Sequence, residues 1–300
     1  MSAASPLASL SATRRVLAAH GLEAKHALGQ NFLVNDGVVQ KILTLSGACD
    51  KDTVLEVGPG IGTLTTALLP RVDHVVAVER DADLIPVLRE TCASWEEKLT
   101  LLNRDAMGLI PADLAQAWTA APNKLIANLP YVVATALVLD YFRDLPSLDS
   151  ATVMVQREVA ERMMAAPGTK AYGAYTMKLA LRARPAGRFV VQPTSFHPAP
   201  KVVSMVIRLD RVQPAATDGG ELAPEVLVAA DMLADAAFAQ RRKTLANSLK
   251  GYFAGRGDGT GAERAMEAMA AAGIDTARRG ETMSVAELVR AAEIFTKNRN

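Results

Sequence analysis

Three glycines at alternate positions, Gly58, Gly60 and Gly62, follow the apolar run Thr53-Val54-Leu55-Glu56-Val57. A carboxylate, Glu79, closes the next apolar run, His74-Val75-Val76-Ala77-Val78. Glycine is needed where the backbone takes positive φ or where a ligand must approach without a Cβ in the way. The helical pattern of Leu64, Leu68 and Leu69 that follows would add outward-pointing amides. These residue types suit a cradle for a small polar ligand, with Glu79 able to accept from the two hydroxyls of a ribose. A glycine turn without a ligand, beside a solvated Glu, is the competing reading of so short a motif. Thr63 stands where a dinucleotide fingerprint would put its third glycine, which argues against NAD.

To bring such groups together the chain must alternate strands with helices. Apolar, β-branched runs at 53–57, 74–79, 99–102, 124–127 and 151–156 read as strands, with helical periods between them. Two more β-rich runs, 187–191 and 202–209, bracket Phe196-His197-Pro198-Ala199-Pro200-Lys201, where the prolines favour an extended connection. Residues 1–13 read as a frayed Ala/Ser-rich end, 14–20 as a short helix, and 25–35 as an ordered loop before a helix capped by Asp36. Residues 213–224, with Gly219 and Gly220, read as a linker. Beyond them the pattern turns to Ala-rich helical periods, with a capping box at Ser284 and Glu287.

Half of the 300 residues are hydrophobic, enough for a large core plus a satellite domain. No apolar run approaches the roughly 20 residues that span a bilayer, and residues 1–12 lack the order of a signal peptide. A cytoplasmic protein with no membrane partner is expected. Cys49 and Cys92 lie in no metal-ligand spacing and are too few for a disulfide framework, so two reduced, semi-buried thiols and no metal are expected. The formal charge of +1 hides a local basic run, Arg241-Arg242-Lys243, with no acid before Arg256. Such a cluster suits phosphate contacts, although charge runs also serve as solvated faces.

The glycine loop and Glu79 together resemble the S-adenosylmethionine (SAM) site of class I methyltransferases. Leu28-Gly29-Gln30-Asn31-Phe32-Leu33 is similar to the N-terminal motif of the ribosomal RNA adenine N6,N6-dimethyltransferases, whose loop lies over SAM. The resemblance makes Asn31 and Leu33 ligand contacts. It makes Asp105 the acceptor for the SAM adenine amino group, in place of a helix cap. Asn128-Leu129-Pro130-Tyr131 resembles the catalytic turn of the same family. An exocyclic adenine nitrogen is a poor nucleophile because its lone pair is delocalised. The Asn128 amide oxygen and the Leu129 carbonyl would accept its two N–H bonds and aim the lone pair at the methyl group. Pro130 stiffens the turn and Tyr131 offers a face for an unstacked base.

By the same resemblance Phe196 stacks on that base opposite Tyr131, and His197 is a bystander. Lys170, in the loop 167–173, and the basic helix carrying Arg241, Arg242 and Lys243 become RNA contacts. The family usually continues the catalytic turn with a second Asn, whereas this chain has Val132, so the polar contacts of that Asn are missing here.

The resemblance runs from Leu28 to the last helix. It implies an α/β, Rossmann-like class I fold with a mostly parallel sheet in residues 1–212, a linker at 213–224, and a smaller all-α RNA-docking domain at 225–300. The implied activity is SAM-dependent dimethylation of two adjacent adenosines near the 3′ end of 16S rRNA, releasing S-adenosylhomocysteine. The implied partner is the small (30S) subunit or its precursor, and the implied state a monomer. The alternatives are a large-subunit rRNA adenine methylase of the macrolide-resistance type, a non-catalytic assembly factor on the same fold, and a small-molecule N-methyltransferase.

Overall fold

A computed structural model describes residues 4–117, 120–130 and 133–297. The chain folds into two compact units, Met1–Ala160 with Pro185–Arg211, and Glu161–Arg184 with Val212–Asn300.

The first unit contains nine strands or parts of them: β1 Phe32–Leu33, β2 Thr53–Val57, β3 His74–Glu79, β4 Leu99–Asn103, β5 Lys124–Asn128, β6 Ser150–Gln156, β7 Ala183–Val191, β8 Phe196–His197 and β9 Ser204–Arg211. Seven form one sheet in the order β4-β3-β2-β5-β6-β9-β7. The pairs β3/β4, β2/β3, β2/β5 and β5/β6 are parallel, and β9 runs antiparallel to β6. Every residue of β2 and β3 is buried, which is why both read as unbroken apolar runs. The chain builds outward from β2 through β3 to β4 and then returns to lay β5 on the other side of β2. That reversal is a topological switch point, where open α/β sheets leave a crevice at their carboxyl ends.

The N-terminal end is more ordered than its composition suggests. A helix spans Leu10–Ala19, begun by Ser9, whose hydroxyl accepts from the Ala12 amide at 3.2 Å. Leu7, Ala8 and Leu17 are buried, so hydrophobic anchoring replaces the expected fraying. The next helix, Asp36–Ser46, is capped by Asn35 and not by Asp36. Asp36 Oδ1 instead accepts from the amides of Ala4 and Ser5 at 2.8 and 3.0 Å, tying the chain start down. Segment 25–35 holds a 3-10 turn, His26–Leu28, and β1, which pairs antiparallel with β8. Cys92 is buried and Cys49 is exposed, so the two thiols are not alike as expected.

The second unit is helical, but it is not the contiguous 225–300 that the sequence suggested. Glu161–Arg184 belongs to it. Tyr172, Met177 and Leu181 bury in one cluster with Leu233, Ala237 and Met283, and the Tyr172 hydroxyl donates to the Met283 carbonyl at 2.9 Å. Arg182 forks onto Asp231 at 2.9 and 2.6 Å. The supposed linker is a hydrogen-bonded turn in which Ala216 bonds Gly220, Thr217 bonds Glu293 on the last helix, and Leu222 is buried. Ser284 and Glu287 form the expected capping box, at 2.8 and 3.2 Å. Among the described residues no helix is long and apolar enough to cross a membrane.

Candidate active site

The crevice at the switch point is walled by the loop after β2 and the turn after β5. Gly58, Gly60 and Gly62 all take positive φ, at 68°, 63° and 89°. A Cβ on Gly60 would come within 3.2 Å of the Phe32 ring, and one on Gly58 within 3.6 Å of Pro130. Gly60 therefore lets β1 close on the loop, while at Gly58 the positive φ and not the space favours glycine.

Glu79 ends β3 at the edge of this crevice, 7% exposed. Its Oε2 accepts from the Gly60 amide at 3.2 Å and its Oε1 from the Asp81 amide at 2.8 Å. A carboxylate offers about four acceptor positions. The backbone N–H groups of Gly60, Asp81 and Arg80 face it and take part of that capacity, and what remains suits a ribose hydroxyl. Burial pushes the Glu79 pKa above the ordinary carboxylate value, while the N–H groups of Asp81 and Gly60 oppose that shift.

Glu56, the carboxylate on β2 just before the loop, is not among the residues predicted from sequence. It is 1% exposed, its Oε2 has no hydrogen-bond partner, and burial, reinforced by Glu79, raises its pKa to about 8. Burial raises both neighbouring carboxyls, and Glu56, raised to about 8, holds its proton near neutral pH. An acidic residue within an otherwise apolar buried run was the available signal.

Asp105, after β4, has a side chain 50% exposed; it accepts from the Met107 amide at 2.9 Å and faces Arg80 at 3.6 Å. It shapes its own turn while keeping an open face. Asn128 ends β5, and its Nδ2 donates to the Asn31 carbonyl at 3.4 Å. Asn31 Nδ2 in turn donates to the Gly29 carbonyl at 2.9 Å. Leu129 is buried with its amide on the Met154 carbonyl, and the Pro130 carbonyl accepts the amides of Val133 and Ala134, starting the helix Ala134–Asp144. The Leu33 side chain is 4% exposed and packs in the core, which leaves its main chain for contact with a ligand. Tyr131 and Val132 lie outside the described residues.

Phe196 differs from expectation. It pairs with Leu33 in the β1/β8 ribbon, is 4% exposed, and packs with Val38, Met154 and Val206. The ring fills the core and presents no open stacking face.

The RNA-contact candidates all fall in the helical unit. Arg241, Arg242 and Lys243 are exposed, and they sit on the turn between the helices Pro224–Phe238 and Leu245–Ala254, not on a helix. Thr244, their neighbour, is the N-cap of the second helix, which is why the basic run ends up in the turn. Arg241 Nη2 donates to the Lys170 carbonyl, joining two segments that are 71 residues apart, and its Nε lies 3.5 Å from Glu281. The acid-free interval of the sequence is therefore answered in space by Glu281.

Residues 21–297 match the model of the family described as ribosomal RNA adenine dimethylase. The chain is 42% identical over 283 residues to the ribosomal RNA small subunit methyltransferase A of Mycobacterium tuberculosis, covering 92% of this chain and 84% of that one. It is 40% identical to the protein of the same name from Rhodospirillum rubrum, covering 93% and 92%. A dimethyladenosine transferase structure from Plasmodium falciparum shares the fold, with a TM-score of 0.72, 22% identity, and coverage of 89% and 98%.

Proposed function

The chain belongs to the ribosomal RNA adenine dimethylase family, and from that premise we propose that it methylates N6 of two adjacent adenosines near the 3′ end of 16S rRNA, twice each. It is a SAM-dependent methyltransferase, and the crevice at the β2/β5 switch point is where SAM and the target base would meet. The small subunit or its precursor would be the substrate, the protein a cytoplasmic monomer, and no metal is needed.

SAM supplies a methyl group made electrophilic by its sulfonium. Glu79 would hold the ribose by its remaining acceptor capacity, and Asp105 the adenine amino group by its open face. The Gly58–Gly62 turn leaves backbone rather than side chain lining the crevice. Asn128 Oδ1 and the Leu129 carbonyl would take the two N–H bonds of the target N6, directing its lone pair at the methyl carbon. Transfer of the methyl to N6 would break the C–S bond and leave a cationic amine that gives its proton to solvent, so a neutral Asn128 would suffice. Tyr131 would support the flipped base. Arg241, Arg242 and Lys243, with Lys170 beside them, would hold RNA phosphates.

The observation that carries this reading is the Asn128 amide nitrogen bound to Asn31, which leaves its oxygen as the acceptor at the crevice. Small subunits from a strain lacking the enzyme, incubated with the protein and labelled SAM, should yield two adjacent dimethyladenosines by mass spectrometry of the 16S 3′ end. Label in 23S rRNA instead would favour the large-subunit activity. Saturable SAM binding with no label would leave a scaffold role, and label on free adenosine would indicate a small-molecule enzyme. Loss of the gene should confer kasugamycin resistance.

A further inference from the structure

The segment that carries Asn31 has little regular structure of its own, yet it is pinned at both ends. At its far end β1 pairs with β8. At its near end it is bonded to residues just past β3. Lys25 Nζ lies 2.6 Å from Asp81 Oδ1 and 2.6 Å from Asp83 Oδ2. Gln30 Nε2 donates to the other Asp81 oxygen at 2.7 Å, while Gln30 Oε1 accepts from the Lys25 amide at 2.9 Å. The Asp81 amide donates to Glu79 Oε1, and Glu79 Oε2 accepts from Gly60. An unbroken series of bonds thus runs from Lys25 and Gln30 through Asp81 and Glu79 to the glycine loop.

This is more than a surface ion pair. The Asp81 side chain is 6% exposed and that of Lys25 38%. Both Asp81 oxygens are engaged, and although burial would raise its pKa, the Lys25 ammonium and Gln30 amide hold it below the ordinary value. Removing Lys25 would leave a buried carboxylate with no charged partner, held only by the Gln30 amide and the Asp83 N–H at 3.2 Å, and would loosen the Asp81 amide's hold on Glu79.

We propose that Lys25, Gln30 and Asp81 are positioning residues, a latch that sets the Glu79 carboxylate for the cofactor ribose and the Asn31 carbonyl for Asn128, without touching either substrate. The proposal rests on the reading of Glu79 given above. Lys25→Met breaks two charge-assisted bonds and keeps the apolar stem, Lys25→Arg restores the charge, and Asp81→Asn puts an amide N–H against Gln30 or Lys25.

The test is a double-mutant cycle on S-adenosylhomocysteine affinity, read by calorimetry on the full chain. Glu79→Gln should weaken binding about ten- to hundredfold. Lys25→Met should weaken it about tenfold, and Lys25→Arg should recover most of that loss. Because the latch acts through Glu79, adding Lys25→Met to Glu79→Gln should cost less than about threefold more. Full additivity, or no effect of Lys25→Met and Asp81→Asn while Glu79→Gln is impaired, would overturn the latch and leave the Glu79 role standing. An unimpaired Glu79→Gln would overturn both. If Lys25→Met fails to fold, the same cycle is run with Asp81→Asn.

Discussion

The side-chain amide of Asn128 donates to the main-chain carbonyl of Asn31 at 3.4 Å, across 97 residues of sequence. One end of the turn proposed as catalytic is thereby oriented by the segment that the family resemblance places over the cofactor. Amide orientation decides the chemistry here, since only the oxygen can receive the N–H of an adenine amino group. On the proposed reading, this bond between β5 and the N-terminal segment would link closure over the cofactor to orientation of the nucleophile.

Glu56 should make stability pH-dependent. Its folded pKa, about 8, is raised above the ordinary 4.5 by burial, so the folded state keeps a proton that the unfolded chain releases. Its contribution is full below pH 4.5 and is lost as pH rises to about 8, at up to about 1.4 kcal/mol per pH unit. Glu56→Gln removes the proton without changing the shape. Thermal melts between pH 5 and 8 should be flatter for the variant, which should gain on the parent at the alkaline end. Parallel melting profiles would contradict the assignment.

Asp105 should matter less than Glu79. Its carboxylate is half-exposed and already serves the Met107 amide, so an amino group bound there stays partly in water. Asp105→Ala should weaken SAM about three- to tenfold, the range of a single solvated hydrogen bond. A loss beyond a hundredfold, or none, measured by the same calorimetry, would misplace the adenine.

Changing Arg241, Arg242 and Lys243 together to Ala should weaken RNA binding and flatten its salt dependence. Three single-strand phosphate contacts correspond to a drop of about two in the slope of log K against log salt. An unchanged slope would put the phosphate surface elsewhere. Glu281→Gln, which frees Arg241 from its ion pair, should act in the opposite direction.

Much of this site was legible in the sequence because its parts are local. The run 74–79 is β3 to the residue, since a strand buried on both faces leaves an unbroken apolar signature ended by its first polar group. The glycine turn and Asn128 announce themselves the same way, as breaks at strand ends. What stayed hidden is what the chain makes from distant pieces. Lys25 and Asp81 are 56 residues apart, and nothing local marks either as the other's partner. Helix Ala174–Ala180 falls within the residues 1–212 expected to form one domain, yet it buries Met177 in the second unit's core. Phe196 has a sequence context that suits stacking, but pairing with Leu33 consigns it to packing. Arg241 loses its apparent freedom to Glu281, which lies 40 positions further along.

The most direct measurement is of Asn128→Ala, comparing single-turnover methyl transfer to under-methylated small subunits with SAM affinity. Transfer should slow by about a hundredfold or more, the scale of removing a preorganised transition-state contact, while SAM affinity changes by less than about threefold. Equal losses in both, or transfer at the parent rate, would show that the amide does not hold the adenine nitrogen for attack.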